Sequence, residues 1–172
     1  YGLTEASRST AIHYNRHPGK EATAGRPTPG TELCVGDPRA PLIEEVGEIL
    51  VPGPHVTEGY WGVDSSPYFA DGWFRTGDLG RLDADGFLTW EGRVREQINV
   101  DGLKVSPLEV ESVLRMHPRV RDCAVVGAPD LIAGQVVVAF VVPDGDWEGG
   151  LEVEIRRFCK AYLEFYKIPR RV

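Results

Sequence analysis

The sequence changes character near residues 93 to 96, and the two sides of that point favour different kinds of structure. Up to residue 45, Gly, Pro and Thr recur at short intervals, which favours loops and brief strands. Beyond the change, a strand, a helix, two strands and a second helix are indicated by the spacing of the apolar residues. The chain is therefore predicted to be α+β and to consist of two parts.

Three segments of the first part predict a strand and a hairpin. Residues 46 to 51 are rich in β-branched side chains and stop at Pro52-Gly53-Pro54, which ends a strand. Residues 79 to 82 and 87 to 90 flank Asp83-Ala84-Asp85-Gly86, whose Asp and Gly residues suit a tight turn.

The second part predicts two helices and two buried strands. Ser106 stands at an N-cap, Pro107 at the first helical position, and Glu109 where it completes a capping box, and Pro118 ends this helix. Apolar residues at helical spacing predict a second amphipathic helix over roughly residues 152 to 163. Residues 123 to 127 and 136 to 142 are expected to be buried strands.

Composition and charge disfavour several classes of function. The 172 residues carry a formal net charge of −7, which disfavours non-specific binding to nucleic acid and to anionic membranes. The longest apolar run, residues 136 to 142, is too short to span a bilayer. Cys34, Cys123 and Cys159 are too scattered for a disulfide framework or a zinc site, so a reducing, cytoplasmic location is expected.

Three short segments carry residues suited to binding a nucleotide, and each also has an ordinary structural explanation. Tyr1-Gly2-Leu3-Thr4-Glu5 combines a ring for stacking on a base, a hydroxyl for a phosphate and a carboxylate for a divalent cation, or it is a plain loop. Asp78 offers a charged acceptor for sugar hydroxyls, or it is a turn residue. Gly102 permits a ligand to approach the backbone closely, or it forms a bend.

The order of the motifs is more specific than any one of them. The chain carries Tyr-Gly-x-Thr-Glu at residues 1 to 5, Gly-Tyr-Trp at 59 to 61, Trp-Phe-Arg-Thr-Gly-Asp at 73 to 78, Gly-Arg at 92 to 93, and Gly-Leu-Lys-Val-Ser-Pro-x-Glu at 102 to 109. This series resembles the adenylate-forming superfamily over the whole chain. That superfamily contains acyl-CoA synthetases, adenylation domains of peptide synthetases and luciferases.

The resemblance implies roles for four residues of the first segment. Tyr1 corresponds to the ring that stacks on adenine, and Gly2 belongs to the same nucleotide-binding segment. Thr4 corresponds to the residue that binds the α-phosphate, and Glu5 to the carboxylate that holds Mg²⁺. Thr4 and Glu5 are thus the expected catalytic residues.

The resemblance also implies roles for four residues further along the chain. Asp78 corresponds to the acceptor of the ribose hydroxyls, with Arg93 as a second ribose contact. Arg95 falls at the hinge between the domains, where relatives usually carry Asp or Lys. Gly102 corresponds to the glycine that lines the tunnel for the pantetheine arm of coenzyme A.

By the same resemblance, residues 1–94 form the C-terminal part of the large AMP-binding domain, a remnant of its β-barrel-like portion. Residues 95–172 form the small mobile C-terminal domain, truncated before its catalytic Lys, and Lys167 is not that lysine. The Ser/Thr/Gly-rich phosphate loop of the superfamily is also missing, so the chain is expected to be a portion of a longer enzyme that is inactive by itself.

The expected parent enzyme is an ATP-dependent carboxylic acid:CoA ligase, with ATP or AMP, Mg²⁺ and coenzyme A as ligands and no nucleic-acid partner. The Lys-Val-Ser-Pro-x-Glu stretch is more similar to acyl-CoA synthetases than to peptide-synthetase domains. Two alternatives stay open: a stand-alone adenylation enzyme that loads a carrier protein, and a non-catalytic nucleotide-binding or interaction module.

Overall fold

The computed structural model describes residues 1–147 and 149–172, and the chain divides into two compact units, Tyr1–Val94 and Arg95–Val172. Two α-helices and several open sheets confirm the predicted α+β class. Among the described residues, no helix has the length and apolar character needed to cross a bilayer.

The first unit consists of antiparallel strands joined by loops and short 3₁₀ turns. Its strands are β1 Gly2–Leu3, β2 Ser7–Arg8, β3 Thr10–Ala11, β4 Arg26–Pro27, β5 Cys34–Asp37, β6 Ala40–Pro41, β7 Gly47–Pro52, β8 Phe69–Ala70, β9 Trp73–Leu82 and β10 Leu88–Arg93. The main sheet has the order β10-β9-β7-β5-β6, and β8 pairs with β9. Two small sheets, β1-β2 and β3-β4, carry the start of the chain. The core under these strands is built from Ala6, Val35, Ile49, Val51, Leu82 and Leu88.

The predicted strand at 46 to 51 and the predicted hairpin are both confirmed, as β7 and as β9–β10. The Asp83 carboxylate holds the turn of the hairpin by accepting the backbone N–H groups of Asp85 at 3.0 Å and Phe87 at 2.9 Å. Gly86 has a φ of +80°, the left-handed conformation that such a turn requires. Lys20 Nζ lies 2.6 Å from Asp83 Oδ2 and ties the turn to the loop before β4.

The second unit packs two helices on a four-stranded antiparallel sheet. Its elements are β11 Ile98–Val100, β12 Leu103–Val105, α1 Pro107–Arg115, β13 Val120–Asp130, β14 Gly134–Pro143 and α2 Leu151–Cys159, and the sheet order is β12-β11-β14-β13. The core joins Val110 and Leu114 of α1 and Ile155 of α2 to Val125 of β13 and Val137 of β14. Burial of these side chains is what makes the helices stable, because each helix has only nine residues.

The start of α1 is confirmed, but the predicted capping box is wrong. Ser106 is the N-cap residue and Pro107 the first helical residue, yet the Ser106 hydroxyl makes no capping hydrogen bond to the helix. The Glu109 carboxylate accepts a 2.7 Å hydrogen bond from Lys167 Nζ. The side chain that local sequence assigns to the cap is thus engaged by a lysine 58 residues away in the chain.

The second helix is shorter than predicted. It ends at Cys159 rather than at residue 163, because the backbone then tightens into i→i+3 hydrogen bonds from Ala161 to Phe158 and from Tyr162 to Cys159. Leu163 still reaches the core with 7% of its surface exposed. Ile155 and Cys159 are also buried, whereas Phe158 is half-buried and Tyr162, at the same helical spacing, is 55% exposed. The helical spacing therefore predicted the centre of the buried face but neither its full extent nor the end of the helix.

Strands β13 and β14 form one long antiparallel hairpin rather than two fully buried strands. Cys123, Val125 and Ala139 are buried in the core, whereas Val126 and Phe140 are 44% and 62% exposed. The alternation arises because both helices pack on one face of the sheet, and successive side chains of a strand point to opposite faces. The prediction of full burial is therefore wrong for the second face.

Candidate functional site

Three of the predicted nucleotide-binding residues, Tyr1, Asp78 and Arg93, lie together at one end of the β9–β10 hairpin. Asp78 of β9 is opposite Arg93 of β10, because the pairing shifts register between Trp90 and Gly92. Arg93 Nε lies 3.1 Å from Asp78 Oδ1. The Tyr1 hydroxyl donates a 2.8 Å hydrogen bond to Asp78 Oδ2. The Asp78 carboxylate thus links Arg93 to Tyr1, which lies 77 positions before Asp78 in the chain.

Asp78 is buried, and one of its two carboxylate oxygens has no hydrogen-bond partner among the described residues. Only 1% of its surface is exposed, and its backbone N–H donates to Thr76 Oγ1 at 3.0 Å. Although Arg93 Nε is close, its N–H does not point at Asp78 Oδ1, and that buried oxygen accepts no hydrogen bond from the described residues. Buried carboxylate oxygens normally have such a partner, so Asp78 Oδ1 is a candidate acceptor for a ligand hydroxyl.

The Tyr1 phenol remains a hydrogen-bond donor under ordinary conditions. Burial raises the pKa of this phenol well above its usual value, and the hydrogen bond to the Asp78 carboxylate raises the pKa further. Its ring is half-buried beside the cleft described below.

Thr4 and Glu5 lie in the turn between β1 and β2. Thr4 is exposed and Glu5 is half-buried. A loop in residues 57 to 68 holds Glu5 at two points: Thr57 N–H donates to the Glu5 carbonyl at 2.7 Å, and the Tyr60 hydroxyl donates to Glu5 Oε1 at 2.9 Å. The second carboxylate oxygen, Oε2, accepts no hydrogen bond from the described part of the chain.

A shallow cleft of about 740 Å³ follows the start of the chain and is open to solvent. It is lined by Tyr1, Gly2, Leu3, Thr4, Ser7, Arg8, Thr10 and Ala11. Three predicted nucleotide-binding residues, Tyr1, Gly2 and Thr4, therefore share one surface, and Arg8 supplies a positive charge to it. A phosphorylated ligand is chemically compatible with this lining.

The residues around Glu5 fit a magnesium ion that is shared with a substrate, not one held by the protein alone. Residues 1–147 and 149–172 contain no group of three or more His, Cys, Asp and Glu side chains placed to hold a metal ion. Mg²⁺ is typically bound by one or two carboxylates together with substrate phosphates and water. Glu5, with one carboxylate oxygen already paired and the other available, matches that arrangement.

The two predicted site residues of the second unit have different surroundings. Arg95 is exposed in a 3₁₀ turn at Val94–Glu96. Gly102 forms, with Asp101, the two-residue loop between β11 and β12, and both residues have positive φ values, +51° for Asp101 and +83° for Gly102. A Cβ built on Gly102 meets nothing within 4 Å, so the left-handed backbone is the local reason for glycine.

A cavity of about 550 Å³ lies beside this loop in the second unit. Its walls are apolar side chains of the sheet and of the chain after α2, including Phe165 and Tyr166. Arg156, Lys160 and Arg170 also line it. Sequence analysis did not identify this cavity, because its cationic and aromatic residues have no motif spacing.

Tyr60 was also missed as a member of the site. It belongs to the Gly59-Tyr60-Trp61 motif, and it contacts Glu5 across 55 residues of sequence. The only signal available in the sequence was its place in the ordered series of motifs.

Two protein-family profiles match separate parts of the chain. The sequence profile of the AMP-binding enzymes matches residues 1–61, and the profile of the AMP-binding enzyme C-terminal domain matches residues 109–172. Tyr1, Thr4, Glu5 and Tyr60 lie inside the first match, whereas Asp78, Arg93, Arg95 and Gly102 lie between the two.

Curated relatives align with the whole chain. A 2-succinylbenzoate–CoA ligase of Geobacillus kaustophilus is 41% identical over 184 residues, covering 100% of this chain and 36% of the relative. An oxalate–CoA ligase of Arabidopsis thaliana is 36% identical over 180 residues, covering 100% of this chain and 34% of the relative. The chain thus spans about a third of the length of these relatives.

Solved structures of related enzymes have a similar fold over the whole chain. The o-succinylbenzoate coenzyme A synthetase of Bacillus subtilis, in complex with ATP and a magnesium ion, superposes with a TM-score of 0.83 at 35% identity. That alignment covers 99% of this chain and 36% of the synthetase. The two profile matches, the relatives and the shared fold lead to one conclusion: the chain belongs to the family of AMP-binding enzymes.

Proposed function

We propose that the protein containing this chain is an AMP-forming ligase that joins a carboxylic acid to coenzyme A. In the first half-reaction, a carboxylate oxygen of the acid attacks the α-phosphorus of ATP, the bond to the bridging oxygen breaks, and pyrophosphate leaves. In the second, the sulfur of coenzyme A attacks the carbonyl carbon of the acyl-adenylate, and AMP leaves with the electron pair on its phosphate oxygen.

The observation that carries this proposal is the buried Asp78 carboxylate between Tyr1 and Arg93. One oxygen is committed to Tyr1, and the other is buried without a hydrogen bond from the described residues. A ribose hydroxyl supplies the missing donor, and a charge-assisted hydrogen bond of this kind is worth roughly 1.5–3 kcal/mol. Arg93 then orients the carboxylate and serves as a second ribose contact.

Thr4 and Glu5 are the proposed residues at the α-phosphate. The exposed Thr4 hydroxyl donates to a phosphate oxygen, and Glu5 Oε2 binds Mg²⁺. When bound, the metal ion places positive charge beside the oxygens on which negative charge develops. The protein's own contribution is positioning and electrostatic stabilisation, because none of these residues forms a covalent bond to the substrate.

The second unit is the proposed site of the coenzyme A step. We assign Arg95 to the hinge about which this unit turns between the half-reactions, and Gly102 to the passage of the thiol arm. The cavity lined by Arg156, Lys160, Arg170 and two aromatic residues supports coenzyme A as the acceptor, since a phosphorylated nucleotide needs cations and stacking surfaces. A carrier protein presents the same thiol arm without that nucleotide, so the cavity disfavours the carrier-protein alternative.

The relatives act on acids as different as 2-succinylbenzoate and oxalate, so the proposal specifies a carboxylic acid and no single compound. The cytoplasm is the proposed compartment, because Cys34, Cys123 and Cys159 are all buried free thiols. A purely non-catalytic nucleotide-binding module is the less favoured alternative, because binding alone gives no reason for a metal-binding carboxylate beside the phosphate position.

The test is ATP–pyrophosphate exchange by the full-length protein over a panel of carboxylic acids that includes 2-succinylbenzoate and oxalate. We expect acid-dependent exchange with at least one acid, followed by consumption of the coenzyme A thiol with that acid. Exchange without thiol consumption would favour the carrier-loading enzyme. ATP binding without exchange for any acid would favour the non-catalytic module and contradict the proposal.

A further inference from the structure

The loop of residues 57 to 68 is built to hold the Tyr60 hydroxyl against Glu5. Its first contact is Thr57 N–H with the Glu5 carbonyl at 2.7 Å, which aligns the two backbones. Its second is the Tyr60 hydroxyl with Glu5 Oε1 at 2.9 Å. Because one contact holds the backbone of Glu5 and the other holds its carboxylate, the side chain is oriented as well as placed.

Other contacts within the loop hold Tyr60 itself. The Tyr60 backbone N–H donates to Ser65 Oγ at 2.8 Å, and the Tyr60 ring packs edge-on against Tyr68 with centroids 5.0 Å apart. A Cβ on Gly59 would lie 2.7 Å from Ser65 Oγ, so any side chain at position 59 would displace the hydroxyl that anchors Tyr60. The contact with Ser65 therefore explains why position 59 of the Gly59-Tyr60-Trp61 motif is a glycine.

The hydrogen bond also determines which carboxylate oxygen of Glu5 is available. Oε1 is occupied by Tyr60, and Oε2 accepts no hydrogen bond from the described residues. The Tyr60 hydroxyl is the donor in this bond, because an ionised carboxylate can only accept hydrogen bonds. An oriented carboxylate with one occupied oxygen is what a metal-binding carboxylate requires from its neighbours.

We propose that Tyr60 is a positioning residue that directs Glu5 Oε2 toward the metal ion shared with ATP. This inference rests on the proposed function, because it takes Glu5 as the magnesium ligand. Tyr60 acts only through Glu5 and contacts neither the nucleotide nor the metal. Loss of such a supporting hydrogen bond typically weakens metal binding or activity about 10–100-fold.

The test uses the full-length protein, with Mn²⁺ as the probe metal in the presence of α,β-methylene-ATP, an analogue that cannot release pyrophosphate. Bound Mn²⁺ is measured by electron paramagnetic resonance in the wild type and in Tyr60→Phe, Glu5→Gln and the double variant. We expect Tyr60→Phe to weaken Mn²⁺ binding by roughly tenfold or more. The double variant should be no weaker than Glu5→Gln alone, because Tyr60 acts through Glu5.

Two controls separate positioning from a structural effect. Tyr68→Phe removes a hydroxyl from the same loop but keeps the ring contact with Tyr60, and we expect it to bind Mn²⁺ like the wild type. AMP binding in EDTA needs no metal, and it should be the same in Tyr60→Phe and the wild type. A similar loss of AMP binding in Tyr60→Phe would mean that the loop is only structural and would overturn the inference.

The remaining outcomes are also decisive. If Glu5→Gln weakens Mn²⁺ binding and Tyr60→Phe does not, the inference about Tyr60 fails and the proposed function stands. If neither variant weakens Mn²⁺ binding, Glu5 is not the metal ligand, and both the inference and that part of the proposed function fail.

Discussion

At the scale of single residues, Asp78 is the centre of the candidate ribose site in the first unit. Its carboxylate is buried, it contacts Tyr1 and Arg93, and one of its oxygens lacks a hydrogen bond from the described residues. A buried charge is costly unless it is paired, and Arg93 lies 3.1 Å from Asp78 Oδ1 without donating a hydrogen bond to it. Such an arrangement is expected where a ligand completes the pairing.

We predict that Asp78→Asn in the full-length protein weakens the binding of ATP and of the adenylate by roughly tenfold, because an amide oxygen is a weaker acceptor than a carboxylate. Coenzyme A binding should change little. Calorimetric titration of each ligand measures both effects. The matched control is Asp71→Asn, since Asp71 is exposed in the same unit and pairs with Arg39. ATP affinity within twofold of the wild type, in a folded Asp78→Asn variant, would mean that Asp78 has only a structural role in β9.

At the scale of elements, Gly102 of the β11–β12 hairpin has two possible functions: it adopts the left-handed backbone of the loop, and it is the proposed residue beside the thiol arm. The Asp101-Gly102 loop has positive φ at both positions, which matches the type I′ geometry favoured by two-residue hairpins. A residue with a Cβ in this backbone conformation costs roughly 1–2 kcal/mol, and Asn tolerates it best. Any test of Gly102 in the thiol tunnel therefore has to separate the backbone cost from the volume of the added side chain.

We predict that Gly102→Leu in the full-length protein leaves pyrophosphate exchange within a few-fold of the wild type. Thioester formation should fall by about a hundredfold, or roughly 2.7 kcal/mol. Gly102→Asn is the control for backbone strain, since it tolerates the left-handed conformation but still adds a side chain. Both variants are assayed for exchange, for acyl-CoA production and for thermal stability.

The outcomes for Gly102 distinguish its two roles. If Asn impairs thioester formation while thermal stability and exchange are retained, obstruction of the tunnel is supported. If Gly102→Asn retains the wild-type rates of both half-reactions and Gly102→Leu lowers both rates equally, the glycine is needed only for the backbone of the hairpin.

At the scale of the whole molecule, the chain contains two units with separate cores and about a third of the length of its relatives. The proposed contacts to adenine, ribose and magnesium all lie in the first unit. Neither unit presents a Ser/Thr/Gly-rich phosphate loop. Of the proposed contacts, only Thr4 and the metal ion at Glu5 are assigned to the phosphates of ATP.

We predict that the 172-residue chain by itself gives no pyrophosphate exchange above the background without protein and binds AMP only weakly. The reason is that orientation of the phosphates supplies a large part of the acceleration in phosphoryl-type transfers. The measurement is exchange with the acid that supports it best in the full-length protein. Exchange above background, with contaminating enzyme excluded, would contradict the prediction.

The sequence alone determined the class of the fold and the residues that form its turns and begin its first helix. Asp83 and Gly86 form a turn because their own side chain and backbone favour it, and Pro107 starts a helix for the same local reason. Val110 and Leu114 of α1 and Ile155 and Cys159 of α2 are buried as their spacing predicts, since a helix repeats its faces whatever packs on them. These features depend on interactions within a few residues, so they can be predicted without the fold.

The tertiary structure decided everything that depends on partners distant in sequence. Glu109 binds Lys167 instead of closing a capping box, and β13 and β14 are covered on one face only. Tyr1 meets Asp78, and Tyr60 meets Glu5, across 77 and 55 residues. A side chain with several possible partners takes the one that packing brings within hydrogen-bond distance, and no local pattern encodes that distance. For this reason the sequence named most of the candidate site, and only the fold showed how its members hold one another.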